Sequence, residues 1–387
     1  MRVLSRISYA HVLALLLTAA TATAAAEDMQ LRCRWVCPNT RSIQEVSFYG
    51  NPLVALLPGE NLEVAANTTL ANGKVVLLKD GKPYREDVIL NFTAPEKPGP
   101  YYIPLLLVAG SQRKEVELCV FVPYKGVGRK TDTGFDLSAD GQPIGPYRHP
   151  DRSGNPKVRN NPDSYQPPVW WLRITDINRK FHVIPGLTVG ELVVPSEDTG
   201  RQHTDMVPVC YPMWRTVHTL RQALDAKGIP GSSLKLISMF RAPAYNRGVG
   251  SNAFGRHIYG DAFDFYIDIE GTGKASDLNR DGKLDRLDAY VIVALIEDLQ
   301  AEGKIPKGGI GVYNSVGGDH VVTMHLDMRG HRATWGYVYS ASGKRSEFIW
   351  GSRRFADVDA REDDEKAARA AKEGRKFSKP RREPLPQ

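Results

Sequence analysis

Residues 254–268 read FGRHIYGDAFDFYID, and this stretch decides how the second half of the chain is expected to fold. His257 stands seven residues before Asp264, with a glycine on each side of the histidine. The alternation after it puts Asp264, Tyr266 and Asp268 on one face of a strand and Phe265, Ile267 and Ile269 on the other. We therefore expect Asp264 at the start of a strand, beside a loop that can fold His257 back towards it.

A second alternating run, VVTMHLDM, spans residues 321–328. It places Thr323, His325 and Asp327 on one face and Val322, Met324 and Leu326 on the other. If the two strands are neighbours, His257, Asp264 and His325 converge. Two imidazoles and one carboxylate with an open fourth position form a catalytic zinc site. A histidine or aspartate in a strand is more often a hydrogen-bonded structural residue, so spacing alone leaves both interpretations open.

The wider segment 238–264, SMFRAPAYNRGVGSNAFGRHIYGDAFD, resembles a known family signature. The pattern is a strand ending in an arginine, then a YN dipeptide, then HxxGxAxD. Its members here are Arg241, Tyr245, Asn246, His257, Gly260, Ala262 and Asp264, followed downstream by GGIGVY at 308–313 and by His320 and His325. The pattern is similar to that of zinc D-alanyl-D-alanine carboxypeptidases and murein endopeptidases, in the superfamily that includes lysostaphin-type enzymes and the hedgehog domain. The resemblance covers about 167–336.

The resemblance implies that His257, Asp264 and His325 bind zinc. It also implies that Arg241 stabilises the substrate carbonyl or terminal carboxylate, which suits a guanidinium fork. His320 would stabilise charge on the tetrahedral intermediate or move a proton.

Two positions depart from the family pattern and leave the general base open. Many relatives have a second histidine two residues before the last ligand, where this chain has Thr323. Others have a glutamate three residues before it, where this chain has Val322. Asp327 is the first candidate for the base and His320 the second. Asp327 could instead orient a metal ligand.

A second metal signal is the segment 277–288, DLNRDGKLDRLD, which matches the calcium loop of an EF-hand with aspartate in place of the usual glutamate at its last position. The predicted calcium ligands are Asp277, Asn279, Asp281, Lys283, Asp285 and Asp288. Gly282 occupies the turn position. The alternative is an aspartate-rich turn that caps the helix after it. A structural calcium ion would stiffen an insertion between the two halves of the zinc site.

The predicted fold class is α+β, with an all-β domain in front of a catalytic domain. Short apolar runs between turn signals such as KDGK at 79–82 predict an immunoglobulin-like β-sandwich over 27–125. The Gly- and Pro-rich segment 126–166 is interpreted as a linker. Residues 167–353 form the predicted zinc peptidase domain, a small antiparallel sheet with flanking helices like that of hedgehog and D-Ala-D-Ala peptidases, including a helix over about 208–227. Residues 354–387 form a charged tail, either a solvated helix or disordered.

The ends and cysteines of the chain predict where it works. Residues 1–26 combine two arginines, an apolar run and small residues, the pattern of a cleaved signal peptide. Export to the periplasm or the medium favours pairing of Cys33, Cys37, Cys119 and Cys210 into two disulfides, with three connectivities open. The formal net charge of +7 is mild for 387 residues, and no nucleic-acid partner or lasting membrane insertion is expected.

These features together predict a function. The expected protein is a zinc metallopeptidase that cleaves peptide bonds in peptidoglycan stem peptides or cross-links, as a D,D-carboxypeptidase or murein endopeptidase. The competing hypothesis is a catalytically impaired binding module, stabilised by zinc and calcium, that holds cell-wall polymer or a protein partner.

Overall fold

The computed structural model describes residues 29–69, 73–193, 204–314 and 322–335. The protein is of mixed α+β class and rich in strands, as predicted. It divides into two compact units. The first unit contains the described residues up to Lys125 together with Trp170–Gly190, and the second contains Gly126–Val169 and the described residues from Glu191 onward.

Beside a small two-stranded sheet, the first unit contains two main sheets, of four and five strands. In chain order their strands are β1 (Gln30–Val36), β2 (Ile43–Phe48), β3 (Leu53–Ala55), β4 (Asn61–Asn67), β5 (Lys74–Lys79), β6 (Lys82–Asp87), β7 (Ile89–Thr93), β8 (Gly99–Ala109) and β9 (Gln112–Val122). The sheet orders are β2-β1-β4-β7 and β3-β9-β8-β5-β6, and only the β3–β9 pair is parallel. Further short strands are β10 (Tyr124–Lys125), β15 (Trp170–Arg173), β16 (His182–Ile184) and β17 (Leu187–Thr188).

Alternation and turn chemistry explain these strands. In β1, Leu31, Cys33 and Trp35 are buried while the residues between them are not. Asp80 and Gly81 both have positive φ between β5 and β6, as a tight two-residue hairpin requires. Within 30–69 and 73–125, the described parts of this region, every regular element is a strand. The immunoglobulin-like topology of this region stays a prediction.

The predicted linker over 126–166 is wrong, because the segment is folded and belongs to the second unit. It contains β11 (Val127–Lys130), β12 (Gly134–Ala139), β13 (Gln142–Pro143), β14 (Tyr147–Arg148) and the short helix α1 (Pro156–Arg159). Gly134 is needed for close packing, because a Cβ there would lie 1.7 Å from the carbonyl oxygen of Tyr147. Asp140 and Gly141 repeat the positive-φ turn seen at residues 80–81. The predicted boundary at 167 is wrong for the same reason.

The second unit is built around a five-stranded sheet of order β19-β20-β22-β21-β23, in which only the β21–β23 pair is parallel. Its strands are β19 (Leu234–Ser238), β20 (Ala262–Ile267), β21 (Gly309–Asn314), β22 (Val322–Asp327) and β23 (Ala333–Trp335), with a separate β18 (Met206–Pro208). The helices are α2 (Tyr211–Ala226), α3 (Pro243–Gly248) and α4 (Arg286–Ala301). Helix α4 packs against β21 and β22.

Helix α2 confirms the helix predicted over about 208–227. Its buried face carries Met213, Val217, Leu220 and Leu224. The chain leaves the helix through Gly228 at φ +76°, a left-handed conformation that favours glycine. No helix among the described residues is long and apolar enough to span a membrane.

The two predicted disulfides are not formed, since Cys33, Cys37 and Cys119 are free thiols. Cys33 and Cys119 lie fully buried in strands of the first unit, where a thiol packs as a small apolar group. Burial raises the pKa of both thiols, that of Cys119 to about 12. The predicted signal peptide at 1–26 and the tail at 354–387 lie outside the described residues.

Candidate metal centre

His257 is supplied by a loop rather than by a strand. It lies in a single 3-10 turn, Arg256–Tyr259, which ends at Gly260 with φ +74°. A Cβ on Gly260 would lie 2.2 Å from Cγ of Pro208, so glycine is needed here for space as well as conformation. The turn is tied back by a hydrogen bond from the backbone N–H of Arg241 to the His257 carbonyl, 3.2 Å long.

Asp264 and His325 are brought together by strand register. Strands β20 and β22 are antiparallel neighbours, and Asp264 stands directly opposite His325. Side chains directly opposite each other in an antiparallel pair share a face and have Cβ atoms about 5 Å apart. The sheet therefore produces the convergence that the two alternating runs predicted.

Three donor atoms form a small triangle at this point. Nε2 of His257 lies 3.2 Å from Oδ1 of Asp264 and 3.2 Å from Nδ1 of His325, and that Nδ1 lies 2.8 Å from the same carboxylate oxygen. Zinc bound tetrahedrally at about 2.0–2.1 Å requires donors about 3.3 Å apart. The triangle therefore fits three ligands of one zinc ion. Among the described residues, these three form the group of His, Cys, Asp or Glu side chains whose ligand atoms lie close enough together to hold one metal ion.

Hydrogen bonds on the far side of each ring direct the lone pairs towards the triangle. His257 Nδ1 lies 2.6 Å from the carbonyl oxygen of Met239, an acceptor, so this nitrogen carries the proton and Nε2 the lone pair. His325 Nε2 lies 3.1 Å from Oδ2 of Asp327 and donates to it, which leaves the Nδ1 lone pair inside. Such outer hydrogen bonds are what fix histidine ligands of metals.

Two of the three groups have pKa shifts that favour a proton held beside the ionised Asp264 carboxylate, and His257 has the opposite shift. Burial lowers the pKa of His257. Burial acts in the same direction on His325, but hydrogen bonds to Asp264 and Asp327 outweigh it and raise its pKa. Burial alone would raise the pKa of Asp264, yet the two histidines hold it well below its usual range. A metal cation satisfies the same demand as a proton held among these groups.

Arg241 contacts the outer oxygen of Asp264 rather than lying apart from the ligands. Its Nη2 donates to Oδ2 of Asp264, and its Nε donates to Oγ of Ser238 at 2.8 Å. This leaves Oδ1 of Asp264 as the oxygen of the triangle. Arg241 also lines the cavity in front of the triangle, so orienting Asp264 is compatible with the predicted contact to substrate.

Asp327 lies behind His325, on the side away from the triangle. Its carboxylate accepts hydrogen bonds from His325 Nε2, from the Arg329 guanidinium and from the backbone N–H of Gly309 at 2.9 Å. Burial alone would raise the pKa of this carboxyl, but His325 and Arg329 hold it far below its ordinary value. An ionised, fully buried and fully bonded carboxylate is a poor proton acceptor for water. The geometry favours the orienting role of Asp327 over the role of general base.

The other predicted catalytic group, His320, lies outside the described residues. Val322 and Thr323, the two positions at which the sequence departs from the pattern that it resembles, are each 2% exposed.

A cavity of about 360 Å³ opens in front of the triangle. His257, Asp264, His325 and Arg241 line it, and so do Asn155, Val158 and Tyr165 of the segment that was predicted to be a linker. Tyr313 and Trp335 also line it, and sequence analysis did not single them out. A signal for them was present in the spaced glycines of GGIGVY, which leave room for an aromatic side chain against the strand.

Trp335 explains those glycines. A Cβ on Gly309 would lie 2.7 Å from the indole ring, and one on Gly311 would lie 2.5 Å from its Nε1. The ring also packs against His325, with centroids 5.0 Å apart. Its Nε1–H donates to the Tyr313 hydroxyl at 2.7 Å. Trp335 thus contacts both His325, a candidate metal ligand, and a second polar group of the cavity.

The predicted calcium loop directs its carboxylates to backbone N–H groups. Asp277 accepts from Gly282 N at 2.8 Å, and Gly282 has φ +81°. Asp288 accepts from Leu278 N and Asp285 N, each at 2.8 Å, and the last bond forms a capping box at the start of α4. These bonds explain the acid-rich sequence through helix capping. Calcium binding at this loop stays a prediction.

Comparisons of the chain with protein-family models, with curated proteins and with solved structures gave no match. The family resemblance stays a prediction, and the case for a function rests on the geometry above.

Proposed function

We propose that this protein is a zinc metallopeptidase that hydrolyses peptide bonds in peptidoglycan stem peptides or cross-links, in the periplasm or outside the cell. The observation that carries the proposal is the triangle of His257, Asp264 and His325, which faces a cavity that Arg241 also lines. The proposal includes a hedgehog- or D-Ala-D-Ala-peptidase-like fold for the second unit and an immunoglobulin-like fold for the first.

The chain's own residues would divide the work as follows. His257, Asp264 and His325 would hold zinc, which supplies Lewis acidity and activates water when bound at three protein ligands. Arg241 fixes the orientation of Asp264 and presents a permanent positive charge at the cavity, where it can attract a substrate carbonyl or carboxylate. Asp327 keeps His325 in the tautomer that binds metal.

The substrate class rests on the resemblance of residues 238–264, and the cavity is compatible with it. Asn155, Asn246 and Ser251 line the cavity beside the arginine, and such groups suit the backbone of a peptide. A purely structural zinc site would be closed by a fourth protein ligand. Here three donors face an open cavity, which supports a catalytic ion.

The test is digestion of purified peptidoglycan by the zinc-loaded full chain and by the His257→Ala variant, with released muropeptides identified by mass. We expect zinc-dependent products from the wild type and none from His257→Ala. The variant His331→Ala serves as a histidine control and should behave as the wild type. If the wild type binds zinc and yields no product from any muropeptide, the enzyme proposal fails.

That outcome would favour the second candidate, a zinc-stabilised module that binds cell-wall polymer or a protein partner. The observation on its side is that buried Val322 and Thr323 occupy the positions where relatives carry a glutamate or a histidine. Co-sedimentation with peptidoglycan without cleavage would support it.

A further inference from the structure

Strand register places Tyr313 beside the metal centre. Strands β21 and β22 are antiparallel neighbours in which Gly311 stands opposite His325 and Tyr313 stands opposite Thr323. Residues two apart on a strand share a face, so Tyr313 projects from the same face of the sheet as His325. Thr323 is small, and the larger phenol ring therefore has room to extend over it into the cavity that both Tyr313 and His325 line.

The Tyr313 hydroxyl is held in one orientation. Among the described residues it makes one hydrogen bond, which it accepts from Nε1–H of Trp335 at 2.7 Å. Trp335 is itself fixed by Gly311 beneath it, by the ring of His325 and by Arg329, whose guanidinium lies 5.0 Å from its centroid. Because an indole N–H can only donate, the tyrosine oxygen acts as the acceptor and its own O–H is left to donate elsewhere.

We infer that Tyr313 is a catalytic residue that donates a hydrogen bond to the carbonyl oxygen of the scissile peptide bond. This inference rests on the proposed peptidase function. When water adds to the carbonyl carbon, the π electrons of the C=O bond move to the oxygen, which becomes anionic. The C–N bond then breaks, the amine nitrogen takes a proton that originates from the water, and Tyr313 keeps its own proton throughout.

The location of Tyr313 also accounts for the departure of residue 323 from the family pattern. A threonine at 323 cannot contribute an imidazole, but the residue directly across the strand pair contributes a donor to the same face. The hydrogen-bonding group is thus supplied by β21 instead of β22. A donor aimed at a developing oxyanion contributes about 100–1,000-fold to kcat in other hydrolases.

The test compares the wild type with Tyr313→Phe, both zinc-loaded and full-length. We expect kcat on a muropeptide substrate to fall about 100-fold or more while KM stays within about threefold, since the bond strengthens only as the oxyanion forms. Trp335→Phe keeps the Tyr313 phenol and an aromatic ring at 335 but removes the N–H that holds the hydroxyl, so a smaller loss of kcat is expected. Tyr84→Phe, at an exposed site in the first unit, is the matched control.

A second measurement separates this inference from the proposed function. Binding of a D-Ala-D-Ala phosphinate analogue, whose anionic oxygen mimics the oxyanion, is measured by calorimetry and requires no turnover. Tyr313→Phe should weaken phosphinate binding about 100-fold and leave zinc content and melting temperature close to those of the wild type. Equal phosphinate affinity of Tyr313→Phe and wild type would overturn the role of Tyr313, whether or not the wild type cleaves peptidoglycan. If Tyr313→Phe binds the phosphinate more weakly than the wild type but the wild type cleaves no muropeptide, only the peptidase function is removed.

Discussion

Replacing Asp327 with asparagine tests whether this carboxylate orients His325 or acts as the general base. In the wild type, His325 and Arg329 both donate to the Asp327 carboxylate. Asparagine keeps one acceptor oxygen but turns an NH₂ donor towards one of these two side chains. Facing His325, the donor favours the tautomer with the proton on Nδ1, the atom inside the triangle. That histidine would then offer no lone pair to a metal ion.

The expected magnitudes follow from these contacts. Loss of an outer hydrogen bond to a metal ligand weakens metal binding about 10–100-fold, or about 1.4–2.7 kcal/mol. Breaking the pair with Arg329 lowers the free energy of unfolding as well. The Arg329 side chain is 23% exposed, so we expect a loss at the low end of the range for buried pairs, about 3 kcal/mol.

The assay measures the zinc dissociation constant by competition with a chromophoric chelator, and stability by urea unfolding of the metal-free protein. Glu297→Gln is the matched control, because Glu297 also pairs with an arginine, Arg332, from a buried position but contacts none of the three donor atoms. We expect both variants to be less stable and only Asp327→Asn to bind zinc more weakly. Wild-type zinc affinity in Asp327→Asn, together with loss of turnover, would refute the orienting role and restore Asp327 as the base.

Two further predictions concern packing and calcium. In Gly311→Ala the new Cβ would lie 2.5 Å from Nε1 of Trp335, so we expect a loss of about 1–3 kcal/mol in urea unfolding. Gly128→Ala, with its nearest neighbour at 3.6 Å, should change stability by less than about 0.5 kcal/mol, and equal losses would contradict the packing argument. If the loop 277–288 binds calcium, adding calcium to chelator-treated protein raises its free energy of unfolding. At a calcium concentration 100 times the dissociation constant, the increase is about 2.7 kcal/mol. An unchanged melting temperature would leave helix capping as the whole explanation of that loop.

The sequence was sufficient to predict that Asp264 and His325 converge if their strands are neighbours, because strand alternation is local. The alternation of two short runs puts Asp264 and His325 each on the polar face of its strand. The pairing of β20 with β22 then brings the two side chains together. Tyr313 could not be found in this way. Its place depends on which residue of β21 stands opposite Thr323, and on an indole that reaches Gly311 from β23. Strand register and long-range packing of this kind cannot be predicted from a single stretch of sequence.

The role of Asp327 shows the same limit at shorter range. Alternation correctly put Asp327 on the face of His325, two residues away. Its carboxylate lies behind the His325 ring because Arg329 and the N–H of Gly309 donate hydrogen bonds to its oxygens there. A shared face is thus compatible with either role, and only the partners of the carboxylate separate them.

Segment 126–166, which the sequence predicted to be a linker, contributes contacts that hold the loop of His257 in place. The guanidinium of Arg256, the residue before the histidine, donates to the carbonyl of Ser164 at 2.7 Å and contacts the rings of Tyr165 and Tyr259, 5.0 and 4.8 Å from their centroids.

The Tyr147 hydroxyl donates to the carbonyl of Ile258, the residue after the histidine, at 2.8 Å. The loop that carries His257 has one short 3-10 turn and no strand partners of its own, so these contacts on both sides are what restrict it. A metal site needs its ligands held to within a fraction of an ångström. The smallest part of the chain that can hold this site therefore begins near residue 126 rather than at 167, because the restraint on its loop ligand comes from the segment between them.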